Sequence, residues 1–175
     1  MQSKEDGYQA HLKTLTDILA KDTARKWTII DVTGDGNCQF RATSVAIYDN
    51  EGNHASVRAK AVHTMRKMKS YFEPFMHNHS FNSSESAPNF AQYTDEMAVN
   101  GVWGDHLTLV AISFKYQRPV MVISNQENSR ALLLREWGEE QIHLENLSVP
   151  ENAIVLGYLD NRGSEHYVFL GQENQ

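Results

Sequence analysis

The chain is 175 residues long with 41% hydrophobic residues, enough to build one domain around a real core. Its formal net charge of −6 argues against a nucleic-acid partner, and no stretch approaches the roughly 20 apolar residues needed to cross a bilayer. A single cysteine excludes an internal disulfide framework and suits a reducing compartment.

Residues 1–6 are charged and do not resemble a secretory signal, so the expected setting is the cytoplasm, or a host cytosol into which the protein is delivered. Residues 7–21 space Leu12, Leu15, Ile18 and Leu19 along one face, which predicts a helix within an N-terminal extension covering 1–26. Trp27-Thr28-Ile29-Ile30 is a short β-like run. A glycine-rich turn then leads into a helix over 38–48, with Phe40, Val45 and Ile47 facing inward. A helix over 54–70 carries the apolar stripe Val57, Ala61, Met65 and Met68, and its Arg58, Lys60, Arg66, Lys67 and Lys69 read as a solvated basic face. Another helical piece covers 71–78, and the Ser- and Asn-rich 79–88 reads as a loop. Asn89 and Asp105 are placed to cap helices over 89–99 and 106–116. Strand signals follow at 119–124, 131–134, 153–159 and 166–170, the last two as a hairpin. Helices first and strands last predict an α/β sandwich, with N-terminal helices packed on a mostly antiparallel C-terminal sheet.

The chemistry concentrates at Gly34-Asp35-Gly36-Asn37-Cys38-Gln39-Phe40-Arg41. A thiol in the first turn of a helix meets partly positive backbone N–H groups, which favour the thiolate. The flanking glycines permit close approach of a substrate and leave N–H groups of the 35–38 turn to hold an oxyanion. A buried structural cysteine has no need of this lead-in. The proton acceptor is expected to be His166, which opens the apolar run His166-Tyr167-Val168-Phe169-Leu170. A cysteine at a helix start followed by a histidine on a late strand is the order of papain-like thiol hydrolases.

Four further patterns read as ordinary structure. His77-x-His79 lacks a third ligand and reads as solvated loop rather than a metal site. Glu139-Glu140 reads as a solvated charge pair, and Asn-x-Ser at Asn78, Asn82 and Asn146 as chance. Trp103 reads as a core aromatic, with a place beside the active site as the alternative.

The segment 31–42 resembles the nucleophile motif of the ovarian-tumour (OTU) family of cysteine deubiquitinases. Gly101-Val102-Trp103-Gly104-Asp105-His106 resembles the family's Trp-Gly segment, and 154–159 followed by 160–167 resembles its terminal hairpin bearing the histidine. The three blocks occur in the family's order and span 27–170. The resemblance implies a papain-like fold and a single catalytic domain over 1–175. It also implies Cys38 as nucleophile and His166 as base, acting on ubiquitin or polyubiquitin as a monomer with no metal or organic cofactor.

One position departs from the pattern. Two residues after the histidine, where many members carry an Asn or Asp that orients the imidazole, this chain has Val168. In some relatives the acid comes from a segment before the nucleophile, which makes Asp31, Asp35, Asp6 and Asp22 the candidates here. Asp35 completes the candidate catalytic set with Cys38 and His166, although bracing the turn is a competing role for it. A ubiquitin-binding pseudoenzyme, with Val168 marking lost catalysis, and a thiol hydrolase for another modifier are the alternative functions.

Overall fold

The computed structural model describes residues 2–78, 89–126, 130–160 and 164–174. In chain order it contains α1 (Gln2–Leu19), β1 (Arg25–Ile30), α2 (Cys38–Tyr48), α3 (His54–Lys67) and α4 (Lys69–Phe72). These are followed by α5 (Phe90–Met97), α6 (His106–Tyr116), β2 (Val120–Ser124) and β3 (Arg130–Arg135). The chain ends with β4 (Gly138–His143), β5 (Ile154–Leu159) and β6 (His166–Asn174). The strands form one sheet in the order β1-β6-β5-β2-β3-β4, antiparallel except for the β2–β5 pair.

Side-chain alternation divides the sheet into two apolar faces. Val120, Val122, Leu134, Ile154 and Leu156 pack with Phe40, Val57, Ala61, Met65 and Ile112 from the helices between β1 and β2. Met121, Ile123, Leu133, Val155, Val168 and Leu170 point the other way and are covered by α1 through Leu15 and Leu19. Each fully buried aliphatic side chain of this kind stabilises the fold by roughly 1.5–3 kcal/mol. The first helix therefore closes the back of the sheet. At Gly157 this packing leaves no room for a side chain, since a Cβ there would lie 2.7 Å from Val168 and 2.8 Å from Leu15.

The caps fall where the sequence puts them. Asn89 and Asp105 each accept a backbone N–H from the third helical residue, Gln92 and Thr108, whose side chains bond back to the cap N–H. Two features are absent from the sequence reading. The Trp27 run is a strand as its residues suggest, but its pairing with β6 could not be read from the sequence. Strand β4, Gly-Glu-Glu-Gln-Ile-His, is an edge strand exposed along most of its length, so it has no apolar alternation to announce it. Its Glu139 lies 3.0 Å from His106, so the two neighbouring glutamates are not merely a solvated pair.

The β1–β6 register positions the site. Ile30 lies opposite Phe169, so one step further along the antiparallel pair Asp31 comes opposite Val168, beside His166 at the head of β6.

Candidate active site

Cys38 is the first residue of α2 and is half-buried. The turn before it is fixed from two sides. Gly36 has φ +81°, and a Cβ there would lie 1.9 Å from the carbonyl oxygen of Gly101, so the turn packs backbone to backbone on the Trp103 loop. Asn37, also buried, accepts hydrogen bonds on Oδ1 from Gly101 N at 3.0 Å and Arg58 Nη2 at 2.8 Å.

Arg58 corrects the reading of a solvated basic face. It is 3% exposed, donates to the carbonyls of Met97 and Val102 at 2.9 and 2.5 Å, and lies 4.1 Å over the Phe40 ring. Burial pulls its pKa down to about 10, which leaves it charged at neutral pH. It therefore ties α3, the nucleophile turn and the 97–102 loop together. No local periodicity marks such a residue, because its partners are 21, 39 and 44 positions away in sequence.

Gln39 supplies a second tie. Its Nε2 donates to Asp105 O at 3.1 Å and its Oε1 accepts from Thr108 Oγ1 at 2.6 Å, locking the start of α2 to the start of α6. A Cβ at Gly104 would meet the Gln39 amide at 2.3 Å, so the Trp-Gly loop must also be bare at that point.

His166 sits beside the thiol at the head of β6. Its Nε2 donates to Asp31 Oδ1 at 2.8 Å, which leaves Nδ1 for Cys38. Asp31 Oδ1 also accepts the N–H of Val32 at 2.8 Å. The electrostatics fit a thiolate–imidazolium pair. Burial would raise the Cys38 pKa, but its hydrogen bond with His166, the N–H groups of Tyr167 and Gln39 and the imidazolium charge bring it below an ordinary thiol. Burial would lower the His166 pKa, but the thiolate and Asp31 raise it above an ordinary imidazole. Partial burial would raise Asp31, but the Tyr8 hydroxyl, His166 and the Val32 N–H lower it.

Among the candidate acids whose side chains are described, Asp31 is the one on His166. Asp35, which the sequence groups with Cys38 and His166, is held elsewhere. Its carboxylate accepts from Arg41 Nε and Nη2 at 3.1 and 2.6 Å, and the Arg41 guanidinium holds it well below the usual carboxylate range. It also accepts the Asn37 N–H at 3.1 Å, which removes that N–H from any oxyanion. Arg41 approaches Glu51 at 3.8 Å, and Glu51 in turn accepts from Thr33 N and Oγ1, so Asp35 braces the turn through a four-residue network. Asp22 bonds Arg25 and the Trp27 indole instead. The side chains of Asp6 and His77 and all of 79–88 lie outside the described residues.

Cys38 opens onto two cavities. One, of about 380 Å³, is lined by Gln39, Trp103, Asp105, His106, Tyr158 and Tyr167. It shares His106, Tyr158 and Tyr167 with a groove of about 680 Å³ running on past Ser124 and His143. The other, of about 430 Å³, is lined by Tyr8, Asp31, Gly34, Ser164, Glu165 and His166. Trp103 borders both and is half exposed, so it belongs to the cleft rather than the core.

A helix-start thiol, a histidine at the head of a late strand and a carboxylate on that histidine's far nitrogen make up a thiol-protease constellation. The family model described as OTU-like cysteine protease matches residues 33–167, and the chain belongs to that family. Among curated proteins it is 28% identical over 163 residues to the mouse deubiquitinase OTUD6B, covering 90% of this chain and 50% of that protein. It is 27% identical over 126 residues to OVARIAN TUMOR DOMAIN-containing deubiquitinating enzyme 10 of Arabidopsis thaliana, covering 65% of this chain and 33% of that protein. The chain thus spans a third to a half of the length of these two relatives. Among solved structures, the OTUD1 OTU domain superposes with a TM-score of 0.67 at 17% identity, covering 96% of this chain and 99% of that one. An OTU deubiquitinase from Wolbachia pipientis bound to ubiquitin superposes with a TM-score of 0.64 at 19% identity, covering 83% and 95%. Those two likenesses show the fold.

Proposed function

We propose that the chain is a cysteine-type deubiquitinase, with Cys38 as nucleophile, His166 as general base and acid, and Asp31 as the residue that orients the imidazole. The observation that carries this reading is the Asp31–His166 hydrogen bond of 2.8 Å on the side of the ring away from the thiol. Family membership and the deubiquitinases among its relatives support ubiquitin as the substrate.

The Cys38 thiolate attacks the carbonyl carbon of ubiquitin's C-terminal glycine. The resulting oxyanion meets the Cys38 N–H at the helix start, where one such donor contributes roughly 3–4 kcal/mol. The intermediate collapses by breaking the C–N bond, and His166 gives its proton to the departing lysine amine. His166 then takes a proton from water, which hydrolyses the thioester and releases a free carboxylate and the thiolate. Asp31 keeps Nδ1 aimed at the reacting atoms throughout and stabilises the imidazolium. The narrow cleft by Tyr158 and Tyr167, continuing into the larger groove, suits an extended C-terminal tail, and the Asp31–Glu165 cavity suits the lysine side, whose released amine takes up a positive charge.

The site is assembled from one chain, which supports action as a monomer. No helix among the described residues is long and apolar enough to cross a membrane.

Ubiquitin with a C-terminal electrophile tests this reading. Covalent labelling of wild type, lost in Cys38→Ala, is the expected result. Reversible binding without labelling would favour a ubiquitin-binding pseudoenzyme, and no engagement would remove ubiquitin as the substrate.

A further inference from the structure

We propose that Tyr8, contributed by the N-terminal helix α1, is a positioning residue that holds the His166–Asp31 pair in its working geometry. The inference rests on the catalytic reading of that pair and extends the machinery beyond the segment 33–167 that defines the family match.

Three observations converge on Tyr8. Its spacing is the first. Tyr8, Leu12, Leu15 and Leu19 recur at intervals of four, three and four, which is one face of a helix. Leu15 and Leu19 anchor that face on the back of the sheet, and the same face carries Tyr8 toward the head of β6. The second is ring contact. The Tyr8 ring meets the His166 imidazole edge to face, with centroids 5.9 Å apart and planes at 74°. Such an edge-to-face contact resists rotation of the imidazole. The third is the hydroxyl. Tyr8 Oη is buried and faces the Asp31 carboxylate that His166 uses. Burial and the Asp31 charge push its pKa well above the ordinary tyrosine range, so it stays a neutral O–H dipole.

Tyr8 therefore walls the cavity in which Asp31, Glu165 and Cys38 surround His166. Removing it would let water onto the imidazole, which is 12% exposed. Its attraction to the Asp31 carboxylate would weaken at the higher local dielectric, and with it the hold of the imidazolium on the Cys38 thiolate. An aliphatic residue at this position would satisfy the anchoring face equally well.

The test compares Tyr8→Ala, Tyr8→Leu and Tyr8→Phe in the full chain. Two quantities are read: kcat and KM on a fluorogenic ubiquitin C-terminal amide, and the pH midpoint of Cys38 alkylation by iodoacetamide. The alkylation needs no ubiquitin, so it reports on the pair even if the substrate assignment fails. Tyr8→Ala and Tyr8→Leu should each lower kcat about tenfold or more with KM little changed, the scale of losing an outer-shell partner. Each should raise the alkylation midpoint by about half a pH unit. Tyr8→Phe keeps the ring and should fall between these and wild type. Should Tyr8→Ala loosen α1, Tyr8→Leu preserves the apolar anchor and must show the same shift. Wild-type kcat and midpoint in Tyr8→Leu would overturn the proposal. A kcat loss that merely tracks the folded fraction, with the midpoint unmoved, would do the same.

Discussion

Asp31 reaches His166 across the β1–β6 strand pair, Oδ1 to Nε2 at 2.8 Å, from the position opposite Val168. Where many family members carry an Asn or Asp two residues after the histidine, this chain presents a carboxylate to the imidazole from the end of the neighbouring strand. The carboxylate is half exposed, but two N–H donors hold one of its oxygens, so its orientation does not depend on burial.

Removing that carboxylate should be costly. Asp31→Ala is expected to lower kcat at least about a hundredfold, the usual scale for losing an orienting acid, with KM for a fluorogenic ubiquitin amide close to wild type. Asp35→Ala should act differently, because its partner is Arg41 rather than the imidazole. Its cost should appear as a loosened turn and a lower melting temperature, with kcat per folded molecule reduced far less than in Asp31→Ala. Equal losses in the two variants would contradict the division of roles.

The paired shifts of Cys38 and His166 set the pH profile. Cys38 lies below an ordinary thiol and His166 above an ordinary imidazole, so the reactive ion pair exists between the two. Activity should rise with pH through a limb below the roughly 8.5 of a free thiol and fall on a limb above the roughly 6.5 of a free histidine. Stopped-flow alkylation of wild type against His166→Ala checks this. The variant's midpoint should move up toward the free-thiol value. Stability has an acid limb of its own. Asp35 and Asp31 have depressed folded-state pKa values, so their contribution is present above the unfolded carboxylate value near 4 and is lost as pH falls through the folded values. A melting temperature that drops in that acid window, less steeply in Asp35→Asn, is the expected signature.

Arg58 should matter more than its surface-helix sequence suggests. Arg58→Met removes the donors to the Met97 and Val102 carbonyls and one of the two donors to Asn37 Oδ1, which keeps the Gly101 N–H. At about 1–3 kcal/mol for each buried group left unpaired, the variant should lose roughly 2 kcal/mol or more of unfolding free energy in urea titration. The surviving folded fraction should also lose activity, because Arg58 holds the Asn37 side chain that seats the turn on Gly101.

The nucleophile turn, the α6 cap and the late hairpin were legible because each is a local pattern: glycines before a thiol, an aspartate three residues before a threonine, apolar runs split by a turn. Strand β4 and Arg58 were not. An exposed edge strand has no apolar face to show, and a buried arginine looks like a solvated one until its distant partners are known. The choice among the four acids was open for a similar reason. Asp31 and Asp35 both flank the turn in sequence, and only the strand register separates one beside the histidine from one beside Arg41.

That register makes a final prediction about Val168. Val168 is fully buried against the α1 side of the sheet, in the apolar cluster containing Leu15 and Leu170. Val168→Asn in the wild-type background should therefore destabilise, by about 1–3 kcal/mol for a buried amide without a partner. It should not raise kcat, because Nε2 of His166 already has an acceptor. The Asp31→Ala background is different. Directly opposed side chains on antiparallel strands lie roughly 4.5–5.5 Å apart at Cβ, so residue 168 reaches the same imidazole nitrogen that residue 31 served. Asp31→Ala with Val168→Asn should recover at least about tenfold of the lost kcat, a coupling that a double-mutant cycle reads directly. Strict additivity of the two losses would show that only the β1 position can orient His166 in this fold.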